Sequence, residues 1–488
     1  MKKLVALALA LVMVLGIVSA CNGTTDPTTA PTTAKPAETT PGVPVTTPAT
    51  LSGDLNILSF TNELKVMSIA FEARYPDIVV NYDSVNTTDG LFQEKAQAVA
   101  NTDACPDVIA LEAAFVKEFV DQDNFLMDIS DLMANATEME TYENSIKVGT
   151  APNGEIRAFS YQYTPGAFFY RRSLAKKYLG SDDPAEVQKF VADWDSFKTT
   201  AEKISKDSNG SVKMLSGVDE LTRPYYANRS QGWVIDGKLT IDPMLDELLE
   251  MAKYFADNDY TAGVNQWQEG WQPSMGAPIK DADGKDIEVF SYFMPTWGVT
   301  YLLATFATPN NFGDYAICKG PVSWQWGGTW VGVMKNAKNV ENAKAFVQFV
   351  CLDEENLTNW ATGVYTWDYL YAINPIRTGE KVLNEDGSVK EALSQGAGDF
   401  VSSKVVINKL LPSISTPVLG GQNNYQLFDE VLGSVKVDLM TGYDQRIEDN
   451  FVPFIRAYAM TDDYATIEEV YDAFKTKIAG ELPQLIVE

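Results

Sequence analysis

Apolar residues after position 50 alternate between two spacings along the chain. Short runs rich in Ile, Val and Leu, at residues 55–60, 77–82 and 107–111, have the length and composition of buried strands. The two stretches that separate these runs, residues 63–75 and 91–100, repeat apolar residues at helical spacing. Strands separated by amphipathic helices predict an α/β fold whose mainly parallel sheet is covered on both faces.

The later chain predicts further elements of the same kinds. Extended segments are expected at residues 158–170, 290–294 and 315–318, and helices at residues 172–179, 194–205, 243–257, 340–350 and within 464–482. Three dipeptides predict tight turns, namely Asn153-Gly154, Asp236-Gly237 and Asp283-Gly284. The length from residue 51 to 488 allows two lobes, each with its own core.

Polar residues follow two of the predicted strands. Asn62 and Glu63 come after the first strand, and Glu112 ends the third. Ligands of open α/β sheets bind beyond the carboxyl ends of the strands, so these side chains are candidates to hold hydroxyl groups. Helix capping and simple solvent exposure are the alternative interpretations of the same residues.

The N-terminus has the pattern of an export signal. Two lysines precede an apolar run, and small residues precede Cys21, so residues 1–20 are interpreted as a signal peptide. The stretch 18–21 resembles a bacterial lipobox, in which the cysteine is acylated; an ordinary signal peptide with an incidental cysteine is the alternative. Residues 21–50 are rich in Thr, Pro and Ala and predict a disordered tether. We therefore expect a lipid anchor on the extracytoplasmic face of the cell membrane.

Charge and composition exclude several classes of function. The formal charge is −28, from 38 Lys+Arg against 66 Asp+Glu, which disfavours nucleic acid and anionic headgroups as partners. The chain has no histidine, so histidine-dependent triads and histidine metal sites are excluded. Cys105, Cys318 and Cys351 allow one disulfide at most and are expected to be buried as small apolar residues.

Tryptophans cluster in one later stretch. Trp324, Trp326 and Trp330 surround Gly327-Gly328, where the missing Cβ atoms let a ligand approach the backbone. A small ligand can stack on a flat indole in a concave site, and Trp326 is a candidate for such a platform. Filling of the core by these indoles is the alternative. Trp297 follows a predicted strand and is a second candidate platform, and Tyr163, in the aromatic extended segment 158–170, is a third candidate.

Four short motifs, in this order, resemble the sugar-binding branch of the extracellular solute-binding proteins of ABC importers. They are Tyr75-Pro76-Asp77-Ile78-Val79-Val80, Cys105-Pro106-Asp107-Val108-Ile109, residues 313–317 with 326–330, and Gly398-Asp399-Phe400-Val401 with Leu419-Gly420-Gly421-Gln422-Asn423. The resemblance implies a two-lobed, type II periplasmic-binding-protein-like fold joined by hinge strands. On that template the N-lobe is 51–157 and 289–338, and the C-lobe is 158–288 and 339–488. The resemblance places the loop around Gly327 in the cleft, which favours Trp326 as a residue that stacks on a sugar. It also adds Asp399, Gln422 and Asn423 to the candidate ligand-binding residues.

These observations predict a monomeric surface lipoprotein that captures a sugar or oligosaccharide and delivers it to the transmembrane permease subunits of an ABC importer, without catalysis or a cofactor. A lipid-anchored glycoside hydrolase is the first alternative, because two carboxylates suffice for that chemistry. A sensory or adhesive surface lipoprotein is the second. No metal site is expected: Asp281, Asp283, Asp286 and Glu288 surround Gly284 at offsets that do not match a calcium loop, and a solvated turn is favoured.

Overall fold

The structure is a computed structural model, and it describes residues 51–87, 90–281, 283–307, 309–384, 386, 388, 399–433 and 435–488. The expected signal peptide, Cys21 and the tether at residues 21–50 lie outside these described residues. None of the helices in the described part of the chain is both long and apolar enough to cross a membrane.

The strands of the described residues form two five-stranded sheets and one two-stranded hairpin. The strands are β1 (Gly53–Ser59), β2 (Ile78–Ser84), β3 (Val108–Glu112), β4 (Ala158–Ser160), β5 (Gly166–Arg171), β6 (Val212–Leu215), β7 (Val234–Ile235), β8 (Lys238–Leu239), β9 (Ile279–Lys280), β10 (Asp286–Pro295), β11 (Tyr315–Cys318) and β12 (Thr329–Val333).

Helices occupy most of the remaining described chain. Those of the first half are α1 (Glu63–Arg74), α2 (Leu91–Val99), α3 (Val116–Val120), α4 (Met133–Glu138), α5 (Glu143–Val148), α6 (Arg172–Leu179), α7 (Pro184–Phe190), α8 (Trp194–Ser208), α9 (Thr222–Tyr226) and α10 (Met244–Asp257). Those of the second half are α11 (Trp271–Gly276), α12 (Ala304–Phe306), α13 (Val340–Leu352), α14 (Glu354–Ala361), α15 (Trp367–Ile373), α16 (Pro375–Val382), α17 (Lys404–Leu410), α18 (Asn424–Leu432), α19 (Asp444–Met460) and α20 (Ile467–Glu481), with a π-helix at Gly298–Leu303.

The first sheet has the strand order β2-β1-β3-β12-β4. β1 pairs in parallel with both β2 and β3, but β12 runs antiparallel to β3 and β4. The prediction of a mainly parallel sheet is therefore right for the first three strands and wrong for the other two. The reason is topological. Between β3 and β12 the chain forms most of the second sheet, and β12 then enters the first sheet from the opposite direction.

The second sheet has the order β11-β5-β10-β6, and its two faces belong to two different cores. Phe168 and Tyr170 of β5 face one core, while Ala167 and Phe169 face the other. Side chains of a strand alternate between faces, so a strand apolar at every position has both faces covered. The first core continues from one face of this sheet to the first sheet.

Several predicted elements are confirmed closely. The helix at 172–179 and the strand at 315–318 have the observed bounds, and β1–β3 and α1–α2 differ from their predictions by one or two residues. Asp236-Gly237 forms the β7–β8 turn with both residues at positive φ (50° and 74°), and Asp283-Gly284 lies in the β9–β10 turn. Thr150 and Ile156 bridge across Asn153-Gly154. The dense run of helices from α14 to α19 was not predicted.

Strand pairing divides the chain at other positions than the expected lobe boundaries. β10 and β11, which fall within the expected N-lobe segment 289–338, pair with β5 in the second sheet. α13 and α18, which fall within the expected C-lobe segment 339–488, pack in the first core. The chain thus changes sheet between β11 and β12, and only its last helices, α19 and α20, return to the second core.

The three cysteines after the tether are free and buried, as expected. Cys105, Cys318 and Cys351 are at most 5% exposed and lie in three different core clusters. Burial raises the pKa of the Cys318 thiol to about 12, so it stays protonated and packs as a small apolar group.

Candidate functional site

A cleft opens where the carboxyl end of the first sheet meets helices packed on the second. Its volume is about 610 Å³, within the range of small-molecule sites. The lining combines aromatic, carboxylate and amide side chains: Glu63, Glu112, Gln162, Arg223, Trp267, Gln272, Trp297, Tyr301, Trp326, Gln445 and Asp449. A smaller side cavity of about 100 Å³ adjoins it and shares Glu112, Arg223, Trp326 and Gln445 with it.

The first-sheet wall of the cleft is built from strand ends. Thr61 and Glu63 follow β1, Glu112 ends β3, and Thr329 begins β12 directly opposite Glu112 in the antiparallel register. The hydroxyl of Ser59 accepts from the Thr61 N–H (3.1 Å) and donates to the Thr61 carbonyl (2.9 Å), which turns the chain from β1 into α1. This turn brings Glu63, the first residue of α1, to the floor of the cleft.

Glu63 is 5% exposed and is held by polar partners from two other segments. The Tyr161 hydroxyl and the Gln162 amide (3.1 Å) donate to its Oε2, and the Tyr301 hydroxyl donates to its Oε1. Tyr301 lies on the π-helix, a helical form that is frequent at functional sites. Burial and the nearby Asp399 carboxylate raise the pKa of Glu63, so the neutral acid is favoured over the carboxylate.

Three tryptophans form the aromatic group of the cleft. The rings of Trp297 and Trp326 pack edge to face with their centroids 5.0 Å apart, and the Trp297 indole N–H donates to the Trp326 carbonyl (3.0 Å). Trp267 stacks beside Trp297 at 6.1 Å with the ring planes 25° apart. Trp267 remains 58% exposed, so the group presents an open indole face to the cleft.

Two glycines let the chain pass beside these rings. Gly327 and Gly328 have φ of 85° and 113°, in a region that favours glycine. A Cβ at Gly327 would lie 2.8 Å from the Trp297 indole nitrogen, and one at Gly328 would lie 2.9 Å from the Trp330 ring. A side chain at Gly327 would therefore displace Trp297 of the aromatic group, and one at Gly328 would displace Trp330 in the core.

An ion-pair network forms the wall on the second-sheet side. It consists of Arg223, Arg229, Asp444 and Glu448. Arg229 donates to both Asp444 Oδ2 (2.8 Å) and Glu448 Oε1 (2.7 Å), and Arg223 donates to Glu448 Oε2 (2.7 Å). The Arg223 guanidinium also lies 5.1 Å from the centre of the Trp326 ring, a cation–π distance. The network thus connects α9 and α19 to the aromatic group.

Glu112 faces this network from the end of β3. Burial raises the pKa of its carboxyl to about 7, and the Arg223 charge opposes that rise. Asp449, one residue beyond Glu448 on α19, has its pKa raised by burial as well, again opposed by Arg223. In both acids, burial thus favours the neutral form and the Arg223 charge favours the carboxylate.

The structure brings four of the nine predicted binding residues together at the cleft: Glu63, Glu112, Trp297 and Trp326. Asn62 is adjacent to Glu63, and its carbonyl accepts from the N–H groups of Lys65 and Val66 at the start of α1.

Four predicted residues lie elsewhere. Tyr163 is 2% exposed and stacks on Tyr142 at 5.7 Å, and Asp399 is 1% exposed and accepts from the Trp360 indole (2.9 Å). The Gln422 amide pairs with the backbone of Ile317 in both directions, at 2.8 Å each, like an added strand. Asn423 caps α18 through the N–H of Gln426 (3.3 Å).

The other two tryptophans of the sequence cluster fill cores. Trp324 is fully buried against Phe293, and Trp330 is 1% exposed and donates to the Ser145 carbonyl (2.9 Å). Sequence reasoning missed Trp267, Arg223 and Gln445. Trp267 carried one local signal, since it stands among polar residues three positions before Gly270, whereas the other two lie on ordinary helices.

Flat indole faces, carboxylates, amides and a guanidinium around one concave site can bind a polyhydroxylated small molecule. The two-sheet α/β architecture with a cleft at the strand ends defines a two-lobed binding protein of the type II periplasmic-binding-protein fold. Comparison with known proteins specifies the family. The sequence profile of the bacterial extracellular solute-binding proteins matches residues 59–357, and the chain belongs to that family.

Solved structures share this fold at low sequence identity. A protein described as extracellular solute-binding protein family 1 has a TM-score of 0.67 at 14% identity, with 88% of this chain and 99% of the other covered. The sugar-binding protein MalE from Xanthomonas citri has a TM-score of 0.64 at 13% identity, covering 88% and 98%. The galacto-N-biose-/lacto-N-biose I-binding protein from Bifidobacterium longum has 0.62 at 12%, covering 90% and 99%. The comparison with curated proteins gives no match.

Proposed function

We propose that this protein captures a sugar or oligosaccharide in the cleft and delivers it, chemically unchanged, to the permease subunits of an ABC importer. The observation that carries the proposal is the exposed Trp267–Trp297–Trp326 group beside the carboxylate and amide side chains of the same cleft. Indole faces stack on the C–H faces of a sugar ring, while carboxylates and amides bind its hydroxyls.

The relatives support a carbohydrate as the ligand class. The Xanthomonas citri protein is described as a sugar-binding protein, and the Bifidobacterium longum protein was solved with lacto-N-biose. Binding between two lobes also fits delivery, because only a ligand that contacts both walls favours the closed form. Glu63 and Glu112 stand on one wall here, and Arg223 and Gln445 stand on the other.

The membrane anchor is the second part of the proposal. We propose that Cys21 is acylated and that residues 21–50 tether the binding protein to the extracytoplasmic face of the membrane, as a monomer beside the permease. The support is the order of the sequence features: a basic start, an apolar run, small residues and then the cysteine.

The ligand class is tested with the purified protein and a panel of neutral mono- and oligosaccharides, amino sugars and peptides. Thermal shift is the first measurement, because a ligand that binds only the folded state raises its apparent melting temperature. Calorimetry then gives the affinity, and an assay for new reducing ends tests for hydrolysis. Binding of peptides alone, or release of new reducing ends, would contradict the proposal.

Trp326→Ala tests the aromatic group. We expect the dissociation constant for the best sugar to rise at least about tenfold, which is about 1.4 kcal/mol, because the stacking face is removed. Trp367→Ala is the matched control. Trp367 is also partly buried, but it is the first residue of α15 and does not line the cleft. Equal affinities for the two variants would refute the role of Trp326.

Cys21→Ala tests the anchor. We expect the variant to leave the membrane fraction and appear in the soluble extracytoplasmic fraction, because it lacks the thiol that is acylated. Cys351→Ala is the control, since this buried thiol has no role in anchoring. Membrane retention of Cys21→Ala equal to that of the wild-type protein would rule out the lipid anchor.

A further inference from the structure

Resting on the proposed carbohydrate function, we infer that the captured sugar carries a protonated amino group, which binds at Glu112 where the cleft meets the side cavity. Charge balance, the supply of hydrogen-bond acceptors and the position of the cations each support this assignment.

Acids outnumber cations in the lining of the cleft. Among the described lining residues, Glu63, Glu112 and Asp449 face one cation, Arg223. The Arg223 guanidinium is already engaged, because it pairs with Glu448 and lies over the Trp326 ring. Glu63 already accepts hydrogen bonds on both oxygens, from Tyr161, Gln162 and Tyr301, whereas Glu112 forms no ion pair among the described residues. Glu112 is therefore the acid that a cationic group of the ligand can pair with, and an anionic group would be repelled from it once it is ionised.

The junction also offers buried acceptors without a partner among the described residues. Tyr226 is 4% exposed, and its hydroxyl, at the side cavity, has no hydrogen-bond partner. The amide oxygens of Gln325 and Gln445, which line the same cavity, have none either. A buried polar atom without a partner costs about 1–3 kcal/mol, so such atoms at a cavity indicate a group that arrives with the ligand. An ammonium group supplies three N–H donors, and these oxygens together with Glu112 accept them.

The cations of the side cavity do not reverse this balance. Its lining contains Glu112, Asp444 and Glu448 against Arg223, Arg229 and Lys436. Arg229 is held by Asp444 and Glu448 and is 6% exposed at its side chain. Lys436 is exposed at the rim. Glu112 is therefore the acid at the junction that faces the cleft without a dedicated ion-pair partner.

The experiment compares matched sugars that differ in one substituent. The probes are glucosamine, N-acetylglucosamine and glucose, their β-1,4-linked disaccharides, and the corresponding galactose series, each titrated calorimetrically against the whole protein. We expect an amine to bind at least about tenfold more tightly than its acetylated or hydroxyl counterpart. We also expect this preference to shrink in high salt and to grow as the pH rises to about 7, where Glu112 loses its proton.

Glu112→Gln is the diagnostic variant. Its amide keeps the size and hydrogen bonding of the side chain but not the charge, so the amine-to-acetyl affinity ratio should fall towards one. Asp195→Asn removes the same formal charge from an exposed position on α8, where the side chain is 95% exposed, and should leave the ratio unchanged. Thermal unfolding of each variant checks that it is folded.

The outcomes separate the two proposals. Equal or tighter binding of the neutral and acetylated sugars overturns the amine inference and leaves carbohydrate capture standing. Binding of none of the sugars overturns both. An amine preference that survives in Glu112→Gln removes Glu112 from the assignment and so also overturns it.

Discussion

Two sets of buried carboxylates border the cleft, and they differ in what lies against them. Glu448 and Asp444 are each within 2.8 Å of an arginine nitrogen, and Glu448 also accepts from the Trp233 indole (3.1 Å). Glu63 accepts from two tyrosine hydroxyls and an amide, and Glu112 faces Arg223 without forming an ion pair among the described residues. The first set has its charges compensated within the protein and holds two helices together. Burial raises the pKa in both sets, that of Asp444 to about 6 and that of Glu112 to about 7, so the sets are distinguished by their ion pairs and not by their pKa values.

The largest expected effect comes from breaking the compensated set. Glu448→Gln should lower the free energy of unfolding by about 3–5 kcal/mol, because it leaves Arg229 and Arg223 short of a buried counter-charge. Denaturant titration measures it. Glu355→Gln is the matched control, since Glu355 pairs with Arg74 at 2.9 Å but is 73% exposed, and it should cost about 1 kcal/mol or less. Equal losses would show that burial does not distinguish the two pairs.

A smaller change in the free energy of unfolding, an increase and not a decrease, is expected for substitution of Glu112. The folded protein keeps a proton on this acid up to about pH 7, whereas the unfolded chain releases it near the ordinary value of 4.5. The protonated Glu112 therefore contributes to the free energy of unfolding in full below pH 4.5, and this contribution is lost as the pH rises through about 7. Glu112→Gln does not titrate, so it should match the wild-type protein in acid and exceed its unfolding free energy by up to about 3 kcal/mol above that window. A constant difference at every pH would contradict this.

The smallest effect on stability is expected at Glu63. Because burial already favours the neutral form of this acid, Glu63→Gln should change the unfolding free energy by less than about 1 kcal/mol at neutral pH. Sugar affinity should nevertheless fall, since the contacts to Tyr301 and Gln162 are altered. Glu448→Gln is the same substitution in the other set and is the natural comparison. A loss at Glu63 as large as that at Glu448 would show that Glu63 is a structural ion.

The first-sheet wall of the cleft was predictable because it follows local rules. A buried strand can be recognised by its run of apolar residues, and the residues after it lie at the binding edge of an α/β sheet. This reasoning led from β1 to Glu63 and from β3 to Glu112. It could not reach Arg223 or Gln445, because their places in the cleft depend on how α9 and α19 pack, which no local pattern encodes.

Two wrong or incomplete expectations have local causes. The tryptophan cluster divides between cleft and core. In a continuous strand Trp324 and Trp326 would share a face, but between β11 and β12 the chain is not a continuous strand, and Gln325 makes only an isolated bridge to Pro165. The alternation of faces therefore does not apply there. Asn423 was carried over from a motif, yet its position before the apolar-patterned α18 is also the position of an N-cap, which is where the structure uses it.

The exposure of Trp267 gives the protein an intrinsic optical signal. It is the only tryptophan among the described residues that is exposed, and its neighbours Trp271 and Trp297 lie at 4.9 and 6.1 Å. An indole in contact with water emits at longer wavelength than one enclosed by protein, so a ligand that covers this ring should shift its emission to the blue. Binding can thus be followed in the unlabelled protein at low concentration. The Trp267→Phe variant, which lacks this indole, is the reference.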